Sequence, residues 1–238
     1  MSRTFNALSA LLCYPKDDLQ AAIPEIRTVL ADEAVLTSTQ IDALQPLLDR
    51  MATADIFDLQ EGYVLLFDRS RTLSLNLFEH IHGESRDRGG AMVDLLETYR
   101  AGGFDLVGPE LPDHLPVLLE FLSTRPLAEA RGLLADAGPI LAVLAERLTR
   151  RETPYAAVLA ALADLGQAAN DSEVAAALLA ENDDDPEDLA ALDAVWEEAQ
   201  VTFAPDPNAG CPISRDILAK MEAPHKPITS PARAGTAN

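Results

Sequence analysis

Apolar residues recur every three or four positions along most of this chain, and this helical spacing constrains the fold more than any other feature. The stripes comprise Leu59, Tyr63, Leu66 and Phe67; Met92, Leu95, Leu96 and Tyr99; Leu115, Leu118, Leu119 and Leu122; and Tyr155, Val158, Leu159, Leu162 and Leu165. No segment alternates apolar and polar residues as a half-buried strand would, and the strong helix formers Ala and Leu occur throughout. The pattern predicts an all-α fold, a single-domain helical bundle of about ten helices.

Two segments interrupt the helical pattern. Residues 104–114 contain Gly108, Pro109 and Pro112, and they are predicted to form a loop. From residue 204 the sequence is rich in Pro, Gly and small residues. We therefore predict a helical domain over residues 1–203 and a mobile C-terminal tail over residues 204–238.

The chain is strongly acidic, with 39 Asp and Glu residues against 18 Lys and Arg residues and a net charge of −21. This charge would repel a phosphate backbone, so nucleic acid is excluded as a partner. It would attract a basic peptide, although an acidic surface that only keeps the protein soluble explains the charge equally well.

The cysteines and the apolar segments bear on the compartment. Cys13 and Cys211 are far apart and form no metal-binding or disulfide pattern, which favours reduced thiols in the cytosol. The apolar run near the N-terminus is too short for a secretion signal, and no apolar stretch reaches the length of a membrane span. We predict a cytoplasmic protein without membrane insertion.

The segment Ser74–Gly90, SLNLFEHIHGESRDRGG, holds the densest group of titratable residues. Glu79 and His82 have the Glu-x-x-His spacing of helical di-iron sites, which suggests a metal-dependent helical enzyme as an alternative function. Such a site needs a second Glu-x-x-His pair on a facing helix, and the helical region offers none. His80 and His82 point to different sides of a helix, which is poor geometry for zinc. We therefore predict no metal, no cofactor and no catalytic residue.

The charged part of this segment allows two interpretations. Glu84, Arg86, Asp87 and Arg88 can simply pair with one another at the start of a helix. Alternatively, they line a groove with an apolar floor that accepts an amphipathic peptide. The residue pattern alone leaves both open.

Several longer strings resemble a known family. The run from Glu61 to Tyr99, which includes LFEHIHGESRDRG, resembles the assembly chaperones, or delta subunits, of respiratory nitrate reductases. These belong to the wider TorD-like family of redox enzyme maturation proteins. The resemblance begins near Leu8–Pro15 and continues through Glu110–Leu122, Pro139–Tyr155 and Leu192–Phe203, so it covers most of the chain before the tail.

This resemblance implies an all-helical, cytoplasmic chaperone that is not an enzyme. Its partner would be the apo form of the nitrate reductase catalytic alpha subunit, bound in part through the N-terminal segment of that subunit. The chaperone would hold the subunit for insertion of the molybdenum cofactor and iron–sulfur clusters and for membrane docking, and it would be absent from the finished enzyme. The resemblance leaves open whether proteins that deliver the molybdenum cofactor also bind the chaperone.

The resemblance also implies which residues bind the client. The family's Glu-x-Pro-Asp-His motif matches Glu110, Pro112, Asp113 and His114, which would form the client-binding loop. His114 would either tune affinity with pH or simply be hydrogen-bonded. Further predicted contacts are charged residues and two aromatic anchors, namely Glu79, His80, Glu84, Arg86, Asp87, Arg88, Tyr63 and Phe67. Aromatic side chains with this spacing are more often part of a core.

Overall fold

The structure is a computed structural model that describes residues 2–82, 86–167 and 173–180. The α-helices of this part are α1 (Arg3–Leu11), α2 (Asp17–Asp32), α3 (Ser38–Thr53), α4 (Ile56–Tyr63), α5 (Glu79–His82), α6 (Arg86–Ala101), α7 (Leu115–Ser123), α8 (Leu127–Asp136), α9 (Gly138–Arg150), α10 (Ala156–Leu165) and α11 (Glu173–Ala180). A π-helical turn spans Val64–Asp68 and a 3-10 turn spans Arg71–Leu73. The predicted all-α fold is confirmed.

The proposed boundary at residues 203 and 204 and the predicted tail lie outside the described residues. Within the described part, β-type pairing is limited to one antiparallel bridge between Asn76 and His114. None of the helices in that part is both long enough and apolar enough to cross a bilayer.

Local chemistry explains where several helices begin. Thr37 and Gln40 form a capping box at the start of α3, with each side chain bonded to the backbone of the other residue. Asp55 caps α4 by accepting a hydrogen bond from the Phe57 amide. The first turn of α1 is capped from a distance, because the Glu33 carboxylate accepts hydrogen bonds from the Arg3 and Thr4 amides.

The predicted leucine stripes form the core. Leu115, Leu119 and Leu122 of α7 are fully buried, as are Phe5 and Leu8 of α1, the helix against which α7 packs. Helix α10 packs chiefly on α9. The stripe of α6 is different, because only Tyr99 of its four predicted residues is buried.

Charged side chains also lie in the interior, and Arg147 of α9 is one of them. Arg147 of α9 is only 2% exposed, and its Nη1 donates a 2.9 Å hydrogen bond to the Thr72 carbonyl. Its Nη2 donates to the Leu178 carbonyl. Arg147 therefore ties α9 both to the 3-10 turn and to α11, and it supplies donors to two backbone carbonyls in the interior.

Candidate functional site

The predicted client-binding loop is anchored to its surroundings through the backbone. The Leu77 amide donates to the Asp113 carbonyl at 3.0 Å, and the Leu115 amide donates to the Leu75 carbonyl at 2.8 Å. These bonds flank the Asn76–His114 bridge. Residues 113–115 therefore lie beside residues 75–77 as a short antiparallel pair.

Pro112 is a fixed point in this loop. It is buried, and its carbonyl accepts a 2.7 Å hydrogen bond from the Tyr99 hydroxyl. Tyr99 in turn packs edge-on against Phe104 and at a tilt against Phe121. The loop is consequently held by the helical core as well as by residues 75–77.

The side chain of Asp113 is completely buried. Its Oδ2 accepts a 3.1 Å hydrogen bond from the Phe78 amide and lies 3.5 Å from Nη2 of Arg88. Nη1 of Arg88 lies 3.0 Å from Oε1 of Glu79. We call Glu79, Arg88 and Asp113 the Arg88 cluster. It brings together three of the predicted site residues in an internal ion network.

The other charged residues predicted from the sequence are placed differently. Asp87 is exposed on α6, and Arg86 begins that helix. His80 Nε2 lies 2.8 Å from the Ser74 carbonyl, so it carries the hydrogen and donates it. Glu84 lies outside the described residues, as does the side chain of Arg86.

The metal-site alternative gains no support from the geometry. Glu79 is paired with Arg88, and the His82 ring packs edge-on against Phe78 with 6.0 Å between centroids. Across the described ranges, no group of three or more His, Cys, Asp or Glu residues is arranged to hold a metal ion.

A cleft of about 1040 Å³ is lined by Glu110 and His114 of the loop but not by Asp113, and we call it the α1–α7 cleft. Residues of α1, α2 and α7 supply much of its wall. It is completed by Tyr63, Asp68, Phe104, Glu110 and His114. Three predicted site residues, Tyr63, Glu110 and His114, therefore meet here.

The α1–α7 cleft is acidic. Its described lining carries the carboxylates of Asp18, Asp68, Glu110 and Glu120 against the ammonium of Lys16. Apolar side chains, among them Leu19, Phe104 and Val117, line it as well. A groove of this kind suits a ligand that has both cationic and apolar groups.

Burial and neighbouring charges shift the pKa values of the groups in the cleft. Burial lowers the pKa of His114, and the carboxylates of Glu110, Asp113 and Asp68 oppose that change. Burial raises the pKa of Asp68, and the His114 imidazole partly offsets this. Burial also raises the pKa of the Cys13 thiol, with Glu120 and Glu110 adding to the effect.

Sequence reasoning missed Asp68 and Glu120. Asp68 ends the π-helical turn, which is closed by a 3.0 Å bond from the Arg69 amide to the Val64 carbonyl. Extra turns of this type are frequent at functional sites, but no sequence spacing announces one. Glu120 is the exposed position of α7, whose other residues are buried. A single charged residue within a run of leucines was the signal in the sequence that could have identified it as a surface residue of the site.

The two predicted aromatic anchors are largely buried. Tyr63 is 5% exposed and Phe67 is 7% exposed, and both pack in an aromatic group with Tyr14 and Tyr155. The Tyr63 hydroxyl also donates to the Leu12 carbonyl at 2.9 Å. Tyr14, which is 41% exposed and lines the cleft, is the better placed aromatic side chain. The structure therefore gives Phe67 a packing role, and client contact by it stays a prediction.

Comparison with known proteins identifies the family. Residues 16–161 match the family model described as nitrate reductase delta subunit. The chain is 46% identical over 205 residues to the nitrate reductase molybdenum cofactor assembly chaperone NarJ of Escherichia coli K12, covering 85% of this chain and 86% of that protein.

Two further relatives agree with this match. The "Probable nitrate reductase molybdenum cofactor assembly chaperone NarW" of the same strain is 43% identical over 77% of this chain and 79% of its own length. The "Probable nitrate reductase molybdenum cofactor assembly chaperone NarJ" of Bacillus subtilis 168 is 32% identical over 68% of this chain and 90% of its own length. These names describe chaperones, in agreement with the prediction that this chain is not an enzyme. The resemblance seen in the sequence is confirmed, and the chain belongs to the nitrate reductase delta subunit family.

Proposed function

We propose that this protein is an assembly chaperone for the catalytic alpha subunit of a nitrate reductase, and that its α1–α7 cleft receives the N-terminal segment of the apo subunit. The family and the names of the relatives support the chaperone role. One observation carries the choice of site: the acidic, partly apolar cleft contains Glu110 and His114 of the family motif.

The chemistry of the cleft fits a peptide with basic and apolar side chains. Glu110 is 59% exposed at its side chain and can accept charge-assisted hydrogen bonds from a client arginine or lysine. Leu19, Val117 and Tyr14 offer apolar surface along the same groove. Because helices hold these walls in place, little ordering of the chaperone is needed when the peptide binds.

In this function the chaperone does no chemistry of its own. It keeps the apo subunit competent for insertion of the molybdenum cofactor and the iron–sulfur clusters and for later docking at the membrane, and then it leaves. Contacts with cofactor delivery proteins belong to the same proposal. The predicted cytoplasmic location stays a prediction.

The test is a binding titration of the full-length protein with a synthetic peptide that copies the N-terminus of the client subunit. We expect binding that weakens as salt is raised, because exposed ion pairs are screened. Glu110→Gln should weaken binding and reduce the salt dependence. Glu129→Gln is the matched control, since Glu129 is an exposed residue of α8 that does not line the cleft.

Two results would contradict the proposal at different levels. Absence of binding to both the peptide and the whole apo subunit would reject the chaperone function. Binding that is equally strong in wild-type protein and in a Glu110→Gln/His114→Asn double variant would reject the cleft as the site while leaving the function in place.

A further inference from the structure

We propose that Asp113 and Arg88 are positioning residues, which set the wall of the α1–α7 cleft without contacting the client themselves. The inference rests on the proposed function, since the client is what the cleft would receive. It divides the Glu-x-Pro-Asp-His motif into two parts. Glu110 and His114 line the cleft. Asp113 does not line it and instead contacts the Phe78 amide and Arg88.

Asp113 is out of reach of any partner in this structure. Its side chain has no exposed surface, and one carboxylate oxygen is already used by the Phe78 amide and Arg88. Arg88 is itself only 16% exposed and is held on its other side by Glu79. A client could reach Asp113 only by breaking the Arg88 cluster and leaving a buried guanidinium unpaired, which is costly.

The neighbouring residue points the opposite way. His114 has extended backbone angles, φ −66° and ψ 121°, and it follows a turn at Pro112 and Asp113 that is closed by a 3.1 Å hydrogen bond from the His114 amide to the Leu111 carbonyl. Asp113 accordingly enters the Arg88 cluster while His114 lines the cleft. The orientation of His114 therefore depends on the register in which residues 113–115 pair with residues 75–77.

Asp113 fixes that register with both its backbone and its side chain. Its carbonyl accepts from the Leu77 amide at 3.0 Å, and its carboxylate accepts from the next amide, that of Phe78, at 3.1 Å. Without these two bonds residues 113–115 would no longer be held beside residues 75–77, and His114 would lose its fixed position on the cleft wall. The ion pair with Arg88 adds an attachment of Asp113 to α6.

The charge of Asp113 in the Arg88 cluster has an effect that can be measured at His114. The Asp113 carboxylate raises the pKa of His114 against the effect of burial. Removal of the Asp113 charge should therefore be detected at the His114 ring, even though the two side chains lie on different sides of the segment.

The test uses the full chain with Asp113→Asn and Arg88→Met, and with Arg88→Lys as the conservative variant. Arg100→Met is the matched control, because Arg100 is an exposed arginine in the last turn of the same helix. Three quantities are measured: amide hydrogen exchange at Leu77, Phe78 and Leu115, the His114 titration by NMR, and affinity for the client peptide as a function of salt.

We expect Asp113→Asn and Arg88→Met to speed exchange at the three amides and to weaken peptide binding, each by about ten-fold. The dependence of affinity on salt should stay as in wild type, because no client ion pair is lost. Arg88→Lys should restore most of the affinity. His114 should titrate at lower pH in Asp113→Asn than in wild type.

A loss of salt dependence equal to that of Glu110→Gln would overturn the inference, because it would show direct contact with the client. Unchanged exchange at all three amides would overturn it as well. If the wild-type protein does not bind the peptide, the proposed function fails, and the exchange and titration results still decide whether Asp113 positions His114. Should Arg88→Met fail to fold, Glu79→Gln removes the outer contact of Arg88 and must give a smaller change in the same direction.

Discussion

His114 Nδ1 lies 3.7 Å from Glu110 Oε2 on the wall of the α1–α7 cleft, although that nitrogen has no hydrogen-bond partner among the described residues. The two groups attract each other when the imidazole is protonated, whereas burial favours its neutral form. Burial prevails, and the pKa of His114 is lowered from its ordinary value of 6.5. The surroundings of His114 in the cleft therefore favour the neutral imidazole.

This lowered pKa predicts a specific dependence of stability on pH. The unfolded chain protonates His114 more readily than the folded chain does, so acidification favours unfolding. The contribution is complete above the ordinary pKa and is lost as the pH falls toward the lowered one. Urea denaturation of the wild type should show a steeper loss of free energy of unfolding between about pH 7.5 and pH 5.5 than His114→Asn shows. Equal slopes for the two proteins would contradict the assignment.

Glu33 gives a second prediction, at lower pH. Partial burial raises its pKa, but hydrogen bonds from Ser2, Thr4 and Arg3 lower it to about 2, against an ordinary value of 4.5. Glu33→Gln should reduce the free energy of unfolding at neutral pH by about 0.5–2 kcal/mol, the range for a lost helix cap. The stabilisation by Glu33 is present above pH 4.5 and is lost as the pH falls toward 2.

The control for this variant is Glu25→Gln, because Glu25 is an exposed glutamate of α2, the helix that ends just before Glu33. Denaturation of both variants over the acid range, followed by circular dichroism, measures the effect. A Glu33→Gln deficit that persists undiminished near pH 2 would show that charge is not its cause.

Replacing either of two glycines by alanine should change the stability of the protein, in opposite directions for the two positions. A Cβ on Gly166 would lie 2.9 Å from the Leu134 carbonyl oxygen and 3.1 Å from the Ala135 nitrogen, which are backbone atoms that cannot move aside easily. Gly166→Ala should therefore destabilise the protein by about 1–3 kcal/mol. Gly132 is exposed within α8 and its Cβ would meet nothing within 4 Å. Gly132→Ala should stabilise it by about 0.5–1 kcal/mol. Urea denaturation of the two variants should shift the midpoint in opposite directions.

The two cleft carboxylates that sequence reasoning missed provide the last prediction. If Asp68 and Glu120 face the client, Asp68→Asn and Glu120→Gln should each weaken peptide binding by about two- to five-fold, as expected for partly exposed ion pairs. The loss should shrink at high salt, because screening removes the same interaction in the wild type. Titration calorimetry at two salt concentrations measures both effects. Affinity equal to that of Glu129→Gln would exclude these residues from the interface.

Much of the fold was predictable because helices are local structures. The leucines of 115–122 are spaced so that one face of a helix is apolar, and the structure buries that face. The loop at 104–114 was predictable from its glycine and prolines for the same reason. The stripe at 92–99 was less informative, since spacing shows which residues share a face but not whether another element covers it.

The sequence by itself determined the helical class, the position of the loop and the motif that points to the family. Only the tertiary structure decided that Asp113 enters an internal ion network while His114, the next residue, lines a cleft with Cys13, Asp68 and Glu120. The reason is physical. Periodicity records the neighbours of a residue within three or four positions, whereas this site joins residues more than a hundred positions apart, such as Cys13 and Glu120, and the packing of α1 on α7 brings them together.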